Sequence, residues 1–182
     1  MALQLSQKEK QLLQDQKTHE QVCIEKYRTG AEKANDPKLK QLFQNYAQQE
    51  QTHLDTINSI INGQVPSMNQ GQQGQQSQQS SMSSQQGSGA AQSASQSSMQ
   101  SSSSQSSSQT PSTSYTASHA DTMMCKDMLI TEKYVSGAYD TAIFEFTDAS
   151  VRQALNHIQK EEQQHGEGIY NYLSSVGQYS VQ

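Results

Sequence analysis

Two Glu-x-x-His pairs, Glu50 with His53 and Glu162 with His165, carry the strongest chemical signal in the chain. On a helix an i, i+3 spacing puts both side chains on one face, one turn apart. A further glutamate stands 30 residues ahead of each pair, Glu20 before Glu50 and Glu132 before Glu162. One Glu-x-x-His is common by chance in Glu-rich helices; two in register, each with its upstream glutamate, form a much more specific pattern. Carboxylate oxygen and imidazole nitrogen together suit iron or manganese, with zinc a further candidate. Four carboxylates brought together out of water would repel one another, and each would bear a large desolvation cost. Two divalent cations cancel those charges. The expected metal ligands are therefore Glu20, Glu50, His53, Glu132, Glu162 and His165, holding two divalent ions, iron or manganese. In a redox-active metal centre His53 and His165 would each take one ion, Glu50 and Glu162 would bridge, and Glu20 and Glu132 would be terminal. The competing reading is a metal-free core in which these glutamates are protonated and the histidines hydrogen-bonded.

The elements that must position these six residues are helices. Ser6 followed by Glu9 is a capping-box signature. Beyond it Leu13, Glu20, Ile24, Tyr27 and Ala31 share a face at helical spacing. Asn35-Asp36-Pro37 ends this helix and opens the next, with Asp36 as N-cap and Pro37 at the first helical position. The second stripe is Leu39, Phe43, Tyr46, Glu50, Leu54, Ile57 and Ile61. In the other half, Cys125, Met128, Glu132, Ser136, Tyr139, Ile143 and Phe146 share a face. Asp148 caps a last helix with Val151, Leu155, Ile158, Glu162, Ile169 and Leu173 on its stripe, and Gly177 suits the residue after its end. Glu20, Glu50, Glu132 and Glu162 are each central in their apolar stripes.

The two halves are an internal repeat. A shift of 112 positions carries Asp15 onto Asp127, Glu20 onto Glu132, Tyr27 onto Tyr139, Asp36 onto Asp148, Glu50 onto Glu162, His53 onto His165 and Ile57 onto Ile169 without a gap. One helical hairpin leaves its apolar stripe wet, and two packed stripe to stripe make a four-helix bundle. The expected fold is all-α: a ferritin-like four-helix bundle of two repeated helical hairpins, 1–62 and 119–182, joined by a long disordered linker, 63–118. The ferritin-like arrangement takes one Glu from each of two helices and Glu-x-x-His from each of the other two.

The linker is nearly all Ser, Gln and Gly, with Pro66 and Pro111. Such a composition buries too little apolar surface to offset its ordering entropy. It reads as a flexible tether, or as a Gln-rich cohesive or cross-linkable segment. A flexible chain of that length spans about 40 Å, close to the length of a ~28-residue helix, so it suits the long crossover of such a bundle. It is also slack enough for hairpins to exchange between chains, and a homo-oligomer is expected.

A formal net charge of -5 with no basic run argues against a nucleic-acid partner. No segment has the roughly 20 apolar residues of a membrane span, and no signal peptide is expected at the N-terminus. Cys23 and Cys125 are expected to be free, buried and inert. Glu25, Glu32 and Glu161 lie off the stripes and are expected in solvent, as are His19, His119 and His157. Glu145, beside a stripe edge, is a candidate for supporting the ligands from behind. Tyr27 and Tyr139 are expected as core rather than redox-active side chains.

The run from Asp127 to Tyr179 resembles the spore coat protein F family of endospore-forming bacteria. The resemblance begins with the D-x-L-x-T-E-K pattern of Asp127, Leu129, Thr131, Glu132 and Lys133. It continues through Tyr139, Asp148, Val151-Arg152 and the His165 region to a Gly-x-Tyr ending. Members commonly end Gly-Trp-Tyr, and Gln178 stands in place of the Trp here. The resemblance covers about a third of the chain. It implies a ferritin-like fold, a place in the spore coat and other coat proteins as partners. Many members are degenerate at the ligand positions, whereas this chain keeps all six ligand types. That retention resembles rubrerythrins and manganese catalases and supports a second reading: a di-iron or di-manganese oxidase, peroxidase or catalase.

Overall fold

The computed structural model describes residues 3–66 and 118–179. Of the predicted linker, residues 67–117 lie outside those described. Among the described residues there are four helices and no strand: α1 Gln7–Lys33, α2 Pro37–Ile61, α3 His119–Glu145 and α4 Ala149–Ser175. No helix among them is long and apolar enough to cross a membrane.

The helix ends follow local chemistry. Ser6 and Glu9 form the capping box, Ser6 Oγ accepting the Glu9 N–H at 3.2 Å and Glu9 accepting the Ser6 N–H at 2.7 Å. Asp36 caps α2 and Asp148 caps α4 through their side chains. Gly177 ends α4 at φ +70°, a backbone that L side chains rarely adopt, and the Gln178 N–H closes back on the Leu173 carbonyl at 2.8 Å.

α1 packs on α2 and on α3, and α4 packs on α3 and on α2. Asp121, in the first turn of α3, binds the turn at Asn35 and Asp36, so α1 and α3 run antiparallel. Tyr172, near the end of α4, donates to Asp36 at the start of α2 at 3.0 Å, so α2 and α4 are antiparallel too. α2 and α3 therefore run parallel, and the end of α2 and the start of α3 lie at opposite ends of the bundle. The 25 residues of α2 put those ends about 37 Å apart at 1.5 Å per residue.

The core is two apolar clusters. One gathers Leu13, Ile57, Ile60, Val135, Tyr139, Phe146, Val151, Leu155 and Ile158 with Cys23. The other gathers Tyr27, Leu39, Phe43, Met128, Ile169, Tyr172 and Leu173 with Cys125. On α2 the buried stripe passes through Ile60 rather than the predicted Ile61, which is 39% exposed. Gly30 lets α1 and α2 close up: a Cβ there would stand 2.8 Å from the Phe43 ring. Burial of such side chains stabilises the fold by about 1.5–3 kcal/mol each, and it offsets the cost of the polar residues that the same helices bury.

Candidate metal centre

Each helix contributes to a layer of buried charge: Glu20 from α1, Glu50 and His53 from α2, Glu132 from α3, Glu162 and His165 from α4. All six are at most 2% exposed. The stripe positions that bring Leu and Ile to the core carry these groups there as well, so the six side chains meet.

The layer is held across the hairpins. His53 Nδ1 lies 3.3 Å from Glu50 Oε2 and 3.1 Å from Glu162 Oε1. His165 Nδ1 lies 3.0 Å from Glu50 Oε1 and 3.7 Å from Glu162 Oε2. The two imidazoles stack with centroids 5.7 Å apart. Tyr27 donates its hydroxyl to Glu132, and Tyr139 donates to Glu20, so each hairpin's tyrosine serves the other hairpin's glutamate.

Charge in the layer is divided unevenly. Burial holds Glu20 well above the usual carboxyl range, and the negative charges of Glu162 and Glu50 add to it. Burial likewise raises Glu132, helped by its neighbour Glu162. Burial pushes Glu50 and Glu162 the same way, but hydrogen bonds from His165 and His53 outweigh it and hold both below the ordinary value. Burial would lower His53, yet the carboxylates of Glu161, Glu162, Glu20 and Glu50 raise it well above the usual imidazole range. His165 is raised against burial by Glu162 and Glu50. The layer thus favours charge on Glu50, Glu162 and the two imidazoles and disfavours it on Glu20 and Glu132.

Oε2 of Glu20, of Glu132 and of Glu162 is nonetheless buried without a hydrogen-bond partner among the described residues, with an imidazole Nδ1 standing 3.5, 4.0 and 3.7 Å away respectively. Such atoms are costly unless something supplies positive charge or a proton. Two sets of ligand atoms have every member within 4.8 Å of the others: Glu20, Glu50, His53 and Glu162, and Glu50, Glu132, Glu162 and His165. Glu50 and Glu162 are common to both sets. Oxygen donors with one imidazole per set, three of the oxygens accepting no hydrogen bond among the described residues, could hold divalent ions, and this donor chemistry suits iron or manganese.

Several side chains differ from expectation. Glu161, expected in solvent, is half-buried and accepts from His53 Nε2 at 2.8 Å, because α4 turns its side chain over the rim of the layer toward α2. Gln49, which drew no attention in the sequence, accepts from His165 Nε2 at 3.1 Å. Both residues immediately precede the glutamate of a Glu-x-x-His pair, which is the signal that could have found them. Glu145 does not back the ligands; it pairs with Lys8 at the surface. His19 and His157, expected at the surface, are partly exposed there, and Glu25, Glu32 and His119 are exposed. Tyr27 and Tyr139 are fully buried core residues that also touch the layer. Cys23 and Cys125 are free and buried, in opposite apolar clusters.

Residues 120–182 match the family model of the Coat F domain. The chain is 34% identical over 67 residues to YusN of Bacillus subtilis (strain 168), described as an uncharacterized protein. That match covers 37% of this chain and 61% of YusN, so the chain spans less than two thirds of its relative's length. No solved structure matches.

Proposed function

We propose that this chain is a spore coat protein with a ferritin-like four-helix fold, whose core holds two divalent metal ions. The match of residues 120–182 to the Coat F domain carries the coat role. The two close sets of ligand atoms, with three carboxylate oxygens that accept no hydrogen bond among the described residues, carry the metal site. Glu20 and His53 would hold one ion, Glu132 and His165 the other, with Glu50 and Glu162 common to both. Two divalent ions would balance the four carboxylates and displace the protons that burial otherwise keeps in the layer. Bound iron or manganese would supply Lewis acidity and redox capacity toward oxygen or peroxide.

The chain's own residues hold the arrangement in place. Tyr27 and Tyr139 fix the rotamers of Glu132 and Glu20, and their phenols stay protonated because burial and the adjacent carboxylate raise both. Apolar clusters on either side exclude water from the layer. Other coat proteins, and further copies of this chain, are the partners this reading implies; the exposed Ile130, Tyr134 and Phe144 of α3 give an apolar surface for such assembly. The place of action is the spore coat.

Two experiments test the proposal. A fluorescent fusion expressed in a sporulating endospore former should collect at the developing spore surface; diffuse signal throughout sporulation would reject the coat role. Full-length protein from cells supplied with iron and manganese should carry about two metal ions per chain by mass spectrometry. Glu20→Gln/Glu132→Gln and Glu50→Ala/Glu162→Ala variants should lose them. Folded wild-type protein without metal would reject the site. Oxygen and peroxide assays on loaded protein then separate a structural metal pair from the oxidoreductase alternative.

A further inference from the structure

Gln49 and Glu161 are equivalent in the repeat, and each reaches the histidine of the other hairpin. His53 Nε2 donates to Glu161 Oε2 at 2.8 Å, and His165 Nε2 donates to Gln49 Oε1 at 3.1 Å. Both rings therefore turn Nδ1 into the carboxylate layer and Nε2 away from it. The acceptor behind the ring differs: an anionic carboxylate for His53, a neutral amide for His165. A charge-assisted hydrogen bond is roughly twice as strong as a neutral one. A carboxylate behind a ligating imidazole fixes its orientation and makes it the better electron donor, and such partners change metal affinity by about 10–100-fold.

The surroundings are uneven in a second respect. The Tyr46 ring lies 4.3 Å from the His165 ring, centroid to centroid. Its repeat equivalent is Ile158, a fully apolar side chain. Glu161 also has a neighbour for its other oxygen, with His157 Nε2 at 3.5 Å from Oε1.

We propose that the two ion positions are unequal: the one served by His53 binds divalent metal more tightly than the one served by His165, and Glu161 and Gln49 set the difference. Both act through a histidine, as positioning residues. The inference rests on the two-metal reading of the six-residue layer. It makes the His165 position the one that empties first.

The test is a calorimetric titration of full-length, chelator-stripped protein with manganese(II) alone, read in parallel by the manganese electron paramagnetic resonance spectrum. Wild type should bind in two steps separated by about 10–100-fold. Glu161→Gln should weaken the tight step toward the weak one. Gln49→Glu, at the solvent edge and leaving every ligand intact, should strengthen the weak step until the two merge. The double variant should restore two steps with the sides exchanged. A purely structural role would lower the melting temperature in Glu161→Gln and leave the separation of the steps unmoved. Two equal steps in wild type, or a separation that neither variant changes, overturns the inequality and leaves the metal site standing. No manganese binding by folded wild type overturns the metal site itself.

Discussion

Glu9 and Asp121 occupy equivalent places in the two hairpins, and each holds the other hairpin's turn. Glu9 Oε1 accepts the Thr147 N–H at 2.9 Å, and Asp121 accepts the Asn35 N–H at 3.0 Å and the Asp36 N–H at 3.2 Å. Each carboxylate thus latches the opposite helix–helix connection, and Glu9 also accepts the Ser6 N–H at its own helix start. Bonds to an ionised acceptor contribute about 1.5–3 kcal/mol. Glu9→Ala and Asp121→Ala are each expected to lower unfolding free energy by about that amount, read by urea denaturation of the full chain. A loss within experimental error of zero for both would mean that the latches are not what joins the hairpins.

Protonation gives the metal-free layer a pH dependence of known sign. Glu20 and Glu132 are raised from 4.5, so the stability they contribute is full below 4.5 and falls as pH rises toward their folded values. His53 and His165 are raised from 6.5, and their contribution begins to fall above 6.5. Glu50 and Glu162 are lowered, so what they contribute is present above 4.5 and is lost only as pH falls through their folded values. The chelator-treated protein should therefore melt at progressively lower temperature from weakly acidic to weakly alkaline solution. Metal competes with the protons that high pH removes, so added manganese should raise the melting temperature more at alkaline than at acid pH. A stabilisation by manganese that shrinks with rising pH would contradict the proton-for-metal exchange.

Two helical glycines offer opposite outcomes for one substitution. A Cβ on Gly168 would run into the Tyr46 hydroxyl, with Tyr46 Cζ next at 3.1 Å, whereas a Cβ on Gly137 meets nothing within 4 Å. Alanine in a helix interior is favoured over glycine by about 0.8–1 kcal/mol. Gly137→Ala should stabilise by roughly that amount. Gly168→Ala should destabilise, and Tyr46→Phe in the same chain should recover most of the loss by removing the clashing oxygen. Thermal melts of the three variants check this; equal gains from both single alanines would show that Tyr46 moves aside freely.

The thiols report opening of the core. Burial pushes Cys125 up to about 12 and Cys23 higher still, and both side chains are wholly enclosed. The thiolate is the reactive form. Neither cysteine should react with a thiol reagent at neutral pH while the chain is folded, and both should react in denaturant. The labelling rate should follow the urea transition, and fast labelling of native protein would show that one cluster opens locally.

The helices and the six-residue layer were legible in the sequence because both rest on periodicity. Capping at Ser6, Asp36 and Asp148 and stripes at helical spacing are local signals, and the 112-residue shift brings the two halves into register. The supports of the layer were not legible, since they are contacts between hairpins. Glu161 lies off its own helix's stripe and so reads as a solvated residue, yet its partner is on α2. Ile61 and Ile60 both fit an apolar stripe by composition, and only the packing of α2 against its neighbours decides which is buried. Glu9 reads as a capping residue, and its second bond, to Thr147, spans two helices.

The repeat relates the two hairpins by an approximate two-fold axis through the layer, with Tyr27 answering Tyr139 and Glu9 answering Asp121. Had the bundle been assembled from two copies of one hairpin, every substitution would be made twice, once on each side of the axis. Glutamate and glutamine could not then face the two histidines separately. A chain that carries both copies in one sequence makes each change once. Joining the halves therefore frees the two histidine environments to differ from each other while the ligands they share stay matched.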